Sequence, residues 1–349
     1  MAAATAMRAF RIHEHGGPEV LRTEELPLPE PGPGEVRVRL EAMALNHLDI
    51  WVRRGIPGVR FPLPIVPGCD GAGRIDALGD GVAGPLPGTR VFVMPGVSCM
   101  RCESCLAGRD NLCPSYAILG EARNGTATEF LVLPATSVWP LADALDLESG
   151  AAFGLTFLTA WHMLVHKARV EPGMRVLVHA AASGVSVAAI QIARLYGARV
   201  VATAGTPEKR ALALSLGAEE AFDSKDLGWV KKTREWAGPR GIQVVADHVG
   251  QETFPGSLQT LAKGGRYVFV GASSGFEMKA DFRPVFFKNL EILGSTMGRR
   301  ADLVTIAQLL GAGRLKVVVD SVFPFEEMAA AHRKLEERKA LGKVVVRVR

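Results

Sequence analysis

Arg175-Val-Leu-Val-His-Ala-Ala-Ala-Ser-Gly-Val-Ser186, followed by Arg199-Val-Val-Ala-Thr203, decides the fold. A β-branched run leads through a turn of small residues into an Ala-rich segment of helix length, Gly184 to about Tyr196, and a second β-branched run follows. The rhythm continues outward: Pro207 to Leu216 reads as a helix, Gln243-Val-Val-Ala-Asp247 as a strand, Glu252 to Leu261 as a helix and Arg266-Tyr-Val-Phe-Val270 as a strand. Strands interleaved with helices require right-handed crossovers, so the chain is α/β with a doubly wound parallel sheet. Val176 to Ala193 carries no charge and approaches membrane-span length, but His179, Ser183, Gly184, Ser186 and Gln191 interrupt it. It reads as strand, turn and helix, with no membrane partner.

The first third is β-rich. Arg8-Ala-Phe-Arg-Ile12, the alternating Glu35-Val-Arg-Val-Arg-Leu-Glu41 and Arg90-Val-Phe-Val-Met94 are separated by Gly16-Gly-Pro18, Pro31-Gly-Pro-Gly34 and Pro87-Gly88. An irregular antiparallel or barrel-like domain is expected there. Beyond about Met297 a helix, Leu303 to Leu310, and a strand, Lys343 to Val348, close the chain. At roughly 150 residues per domain, 349 residues make about two domains. The 48% hydrophobic and 22% charged residues exclude a disordered or fibrous chain. Lys and Arg number 41 against 36 Asp and Glu, and the basic pairs Lys231-Lys232, Arg299-Arg300 and Arg338-Lys339 are scattered, so no nucleic-acid partner is expected. Met1 to Phe10 holds no apolar stretch of signal-peptide length, which points to a reducing cytoplasm.

The turn after the first parallel strand suits a dinucleotide. A pyrophosphate needs small residues where the backbone approaches it, with the amides of a helix N-terminus facing the anion. Ala182, Ser183, Gly184 and Val185 are the candidate contacts, although only Gly184 is glycine where a G-x-G-x-x-G run has three. An Ala-rich turn in some other α/β protein would look the same. At the end of the second strand, where a carboxylate would bond the ribose 2′-hydroxyl of NAD, stand Ala204, Gly205 and Thr206. Thr206 and Pro207 form a helix start, followed by Lys209 and Arg210. No carboxylate and two nearby cations favour a 2′-phosphate, hence NADP(H); the bland reading of both cations is an exposed helix surface.

Four of the five cysteines fall within fifteen residues: Cys99, Cys102, Cys105 and Cys113. C-x2-C-x2-C-x7-C can surround one tetrahedral zinc with four thiolates, a closed and therefore structural site. An iron–sulfur cluster uses the same first three cysteines, and Pro114 follows Cys113, but its fourth gap is ordinarily three residues. Disulfides and free thiols are the remaining alternatives.

Taken in order, these segments resemble the medium-chain, zinc-type alcohol dehydrogenase and quinone oxidoreductase superfamily. The resemblance is carried by Gly16-Gly-Pro-Glu-Val-Leu21, Ala44-Leu-Asn-His-Leu-Asp49, Gly68-Cys-Asp-Gly-Ala-Gly73, the cysteine lobe within Gly96 to Pro114, the nucleotide loop and Gly342-Lys-Val-Val-Val346. It implies a GroES-like β-barrel catalytic domain, residues 1–153 and 298–349, with a Rossmann domain, residues 154–297, inserted into it. Alcohol dehydrogenases of the family bind a second, catalytic zinc; the positions matching its ligands here are Asn46, Cys69, Asp70 and, near the Rossmann domain, Leu155. Asn and Leu are poor ligands, so at most Cys69 and Asp70 remain, with His47 as a further candidate, and three are the usual minimum. Asn46 followed by Asp49 is similar to the zinc-independent quinone oxidoreductases, where the Asn sits beside the nicotinamide.

The resemblance also implies cofactor contacts from Thr156, from His248 and from Val270, Gly271 and Ser273 at strand ends, with Lys343 reaching the phosphates. Asn46 is the candidate for bonding the nicotinamide ribose or the substrate oxygen, Asp49 stands behind it, and Trp51 and Tyr116 are candidates for the substrate cleft wall. The expected function is hydride transfer from NADPH to a quinone or α,β-unsaturated carbonyl, with one structural zinc per chain. The competing readings are a zinc-dependent alcohol dehydrogenase and a non-catalytic NADPH-binding protein. A homodimer or homotetramer is implied, through an edge strand near Leu293 to Met297.

Overall fold

The computed structural model describes residues 5–349, so the first four residues of the N-terminal segment lie outside them. Two compact units result. Of the described residues, one comprises 5–155, Arg299–Gly313 and Val317–Arg349, the other Thr156–Gly298 and Arg314–Lys316. The expected breaks after 153 and 297 fall instead after Leu155 and Gly298, and the short segment 314–316 packs with the second unit.

The second unit is built on a six-stranded, all-parallel sheet. Across it run Glu220–Asp223, Arg199–Ala204, Arg175–Val178, Ile242–Asp247, Leu261–Phe269 and Glu291–Gly294. In chain order this is 3-2-1-4-5-6, the doubly wound Rossmann arrangement. The order reverses between Arg175–Val178 and Ile242–Asp247, and ligands of such sheets bind at that reversal, at the strands' carboxyl ends. Val176, Leu177, Val200, Val201, Val244 and Val245 are fully buried, as parallel strands covered on both faces must be. Helices Gly184–Leu195, Pro207–Ser215, Trp229–Ala237 and Phe254–Thr260 interleave with the strands, and Trp229, Phe254 and Leu258 pack with Leu177, Val245 and Tyr267 in one core. The strand Glu220–Asp223 and the helix Trp229–Ala237 were not expected from the sequence, and the edge strand expected near Leu293 to Met297 runs earlier, over Glu291–Gly294. Both strands lie at sheet edges and are short and half solvated, so they lack the apolar run that betrays a central strand.

The first unit holds a seven-stranded sheet in which the long strand Glu35–Ala44 is central. On one side it pairs with Asp70–Leu78, on the other with Phe130–Pro134 and with the C-terminal strand Lys343–Arg347. Ala44 stands opposite both Asp70 and Val345. That register carries Asn46, Asp70 and Lys343, almost 300 residues apart in the chain, to one end of three neighbouring strands.

Candidate active site

Asn46 precedes the helix His47–Arg54, whose N-terminus is tied down by a carboxylate. Asp49 accepts the Asn46 N–H at 2.7 Å and the Gly68 N–H at 3.0 Å, so one side chain fixes both segments that carry the site. Burial pushes the Asp49 carboxyl up to about 7, against the pull of the Asn46 amide and the Lys343 charge. Asp70 is fully buried and fully bonded: Oδ1 accepts the Leu155 N–H at 2.7 Å, and Oδ2 accepts Asn46 Nδ2 at 2.9 Å and Lys343 Nζ at 3.1 Å. Lys343 Nζ also donates to Asn46 Oδ1 at 2.6 Å, and Asn46 Nδ2 lies 3.3 Å from Cys69 Sγ. Gly154 is required beside this cluster, since a Cβ there would stand 2.7 Å from Asp70 Oδ1. Burial, then the charges of Asp70 and Asp49, push the Cys69 thiol well up and keep it protonated. Tyr116 places its hydroxyl over Gly96, where a Cβ would lie 1.8 Å away, and burial raises its pKa; Trp51 stacks edge-on with His47.

The cysteine lobe is a different kind of cluster. The sulfurs of Cys99, Cys102, Cys105 and Cys113 all lie within 4.8 Å of one another, with Cys99 to Cys113 at 3.5 Å and Cys99 to Cys105 at 4.0 Å. Tetrahedral zinc with Zn–S of about 2.3 Å needs sulfurs about 3.8 Å apart, so this donor set fits the ion. No pair forms a disulfide. The Ser115 N–H approaches Cys113 Sγ at 3.3 Å, and the Arg101 and Cys102 amides lower Cys99 to about 6, both favouring thiolate. Among the described residues this is the one group of three or more His, Cys, Asp or Glu side chains that could hold a metal.

The nucleotide loop belongs to the second unit. Ala180 adopts φ +49°, a left-handed conformation ordinarily left to glycine, where the strand turns into the loop. Ser183 caps the helix Gly184–Leu195, its Oγ accepting the Ser186 N–H at 3.2 Å. His248 Nε2 lies 2.7 Å from Ser183 Oγ and 2.9 Å from Ser186 Oγ. Val270 N–H donates to Asp247 and Ser273 N–H to His248, with Gly271 at φ +67° between them. Thr156 Oγ1 is buried with no partner among the described residues, an unspent hydrogen bond of the sort a cofactor would use. At the second strand's end, Thr206 caps Pro207–Ser215, while Arg210 Nη1 pairs with Asp223 Oδ2 at 3.1 Å. Gly205 is faced by Lys225 and Ser224, whose Cε and Oγ would stand 3.4 and 3.5 Å from a Cβ there.

Two family models cover most of the chain: an alcohol dehydrogenase GroES-like domain matches residues 32–143 and a zinc-binding dehydrogenase domain matches residues 184–312. The quinone oxidoreductase of Rattus norvegicus is 32% identical over 348 residues, 97% of each chain, and that of Homo sapiens is 31% identical over the same span. The chain belongs to the medium-chain dehydrogenase/reductase superfamily. It is an oxidoreductase with a GroES-like domain and a Rossmann sheet, and the matched domain pair implies a nicotinamide cofactor. Among solved structures, one titled as an NAD-dependent alcohol dehydrogenase is 52% identical with a TM-score of 0.95, covering 98% of this chain and all of that one. A thermostable alcohol dehydrogenase from Pyrobaculum aerophilum is 32% identical, with a TM-score of 0.89, 98% of this chain and 100% of the other. No helix among the described residues is long and apolar enough to cross a membrane.

Three expectations, two from the resemblance and one from the residues themselves, change at the atomic level. Lys343 does not extend toward a phosphate: its ammonium is buried and held by Asp70 and Asn46, because strand register seats it there. The Asn46 amide, expected to bond ribose or substrate, is already engaged through both Oδ1 and Nδ2. Arg210, expected to meet a 2′-phosphate, is neutralised by Asp223, a residue on an edge strand that sequence patterning did not reveal. Lys225 escaped notice for the same reason; a polar turn after that strand was its only signal.

Proposed function

We propose that this oxidoreductase transfers hydride from NADPH to a quinone or α,β-unsaturated carbonyl, with one structural zinc in the cysteine lobe and no catalytic zinc. The observation that carries the reading is the Lys343 ammonium, bonded to Asp70 and Asn46 where the family's alcohol dehydrogenases hold their metal. The residues there do not fit zinc: Lys343 brings a positive charge into the cluster, Asp70 has both oxygens committed, and Asn46 and Leu155 offer no good ligand. Hydride attack on a saturated ketone concentrates charge on one oxygen, whereas a quinone or enone spreads it over a conjugated system and needs less stabilisation. The reduced nicotinamide supplies the hydride from C4. This chain would contribute positioning: Ser183 and the amides of Gly184 and Val185 toward the pyrophosphate, Gly205, Thr206 and Lys209 at the adenosine ribose, and Thr156, Val270 and Gly271 toward the nicotinamide. Asp49 would hold Asn46 and Gly68 in register, and the proton would come from water. The 31–32% identity to quinone oxidoreductases supports the same acceptor class.

A second reading, an NADH-dependent alcohol dehydrogenase, is favoured by the Arg210–Asp223 pair, which removes one cation from the 2′-phosphate argument. Oxidation of NADPH and NADH with a panel of quinones, enals and saturated ketones, beside elemental analysis of the protein, separates the two. Turnover of quinones or enals with NADPH and about one zinc per chain supports the first reading. Two zincs per chain with ketone turnover and a preference for NADH would sink it. The reading extends to a cytoplasmic homodimer or homotetramer formed through the edge strand Glu291–Gly294, and a sizing column that returns a monomer refutes that part.

A further inference from the structure

We propose that His248 is a positioning residue for the nucleotide loop, clamping it through Ser183 and Ser186 from across the point where strand order reverses. The inference rests on the reading of 180–186 as a dinucleotide loop. His248 follows the strand Ile242–Asp247, while the serines follow its neighbour Arg175–Val178. Hydrogen accounting favours the ring as the donor. Ser186 Oγ gives its hydrogen to the His179 carbonyl at 2.6 Å, so at 2.9 Å from His248 it can only accept. Ser183 Oγ accepts the Ser186 N–H at 3.2 Å and has Ser186 Oγ, also at 3.2 Å, as a place for its own hydrogen. An Nε2–H is the one assignment in which the ring bonds both serines, since an unprotonated Nε2 could accept only from Ser183.

The backbone that carries the ring is held in turn. The His248 carbonyl accepts the Ser273 N–H at 3.1 Å, and the neighbouring Asp247 spends its carboxylate on Val249, Gly250, Thr253 and Tyr267. Burial lowers the His248 pKa, so the ring is a neutral donor. A loop with a single glycine lacks the three-glycine turn of the G-x-G-x-x-G pattern; here side-chain bonds from a second strand brace it instead.

The test is a double-mutant cycle read by nicotinamide fluorescence on binding of NADPH and of NADH. His248→Ala is expected to weaken binding about five-fold, the worth of one buried hydrogen bond. Ser183→Ala is expected to cost at least as much, since it also removes the helix cap, and adding His248→Ala to it is expected to cost less than in the wild type, because the ring has then already lost one of its two serine partners. His248→Gln, which restores an N–H at comparable reach, is expected to recover most of the loss. If the alanine variant fails to fold, His248→Asn, too short to reach the serines, takes its place in the cycle. Additive losses, a Gln variant no better than Ala, or wild-type affinity in His248→Ala would each overturn the clamp. A wild-type protein that binds neither dinucleotide would instead overturn the cofactor reading on which the clamp rests.

Discussion

Two clusters in the same unit solve the same electrostatic problem in opposite ways. The lobe Cys99, Cys102, Cys105 and Cys113 gathers four thiols within 4.8 Å of one another, and the cation that feels them, Arg300 beside Cys105, cannot balance four thiolates. The cluster Asn46, Cys69, Asp70 and Lys343 carries its own cation, and both oxygens of its carboxylate are already bonded. A site that lacks sufficient internal countercharge recruits a metal; a site that contains it has no vacancy for one. Sequence spacing reveals the first kind because its ligands are close together in the chain. It does not reveal the second, whose ammonium arrives from the C-terminal strand.

The largest expected effect strikes the imported charge. Cys113→Ser, or a strong chelator, is expected to take zinc from about one per chain to none and to cost on the order of 5 kcal/mol of stability, read by elemental analysis and by urea unfolding. Unchanged stability after complete zinc loss would break the contrast. Next comes the built-in charge. Lys343→Met leaves Asp70 buried and uncompensated, an expected loss of about 3–5 kcal/mol, whereas Lys343→Met with Asp70→Leu is expected to recover most of it. If the double variant is as unstable as the single one, the ammonium is packing and not countercharge.

Asp49 sharpens the comparison with pH. Its carboxyl titrates near 7 in the folded protein and near 4 when unfolded, so between those values the folded state binds the extra proton and stability falls as pH rises. Asp49→Asn is expected to abolish that slope. It is also expected to cost about 1–3 kcal/mol at low pH, because an amide cannot accept both the Asn46 and Gly68 N–H groups. A variant whose stability runs parallel to wild type from pH 4 to 7 would assign the slope elsewhere. The smallest effect is at Arg210, where Asp223→Asn releases a half-exposed guanidinium and is expected to shift preference toward NADPH over NADH by a few-fold in dissociation constants. No shift would mean that Arg210 is not within reach of the 2′-phosphate.

Much of the second unit was legible because buried parallel strands are written as apolar runs: Arg175–Val178, Arg199–Ala204 and Ile242–Asp247 were all anticipated. In the first unit the strand Asp70–Leu78 escaped, since Asp-Gly-Ala-Gly has poor β-propensity and is held by pairing on both sides. Ser183 and Gly184 were read for small size; that Ser183 caps the helix is local, but that it bonds His248 depends on a strand sixty residues away.

By itself the sequence determined what local order can encode: the alternation that makes a doubly wound sheet, the four-thiol spacing and the small-residue turn. Only the tertiary structure decided the partners of charges far apart in the chain, Lys343 with Asp70 and Arg210 with Asp223. The physical reason is range. Propensity and spacing act over a few residues, but the balance of a buried charge is set by whichever strand the register brings beside it.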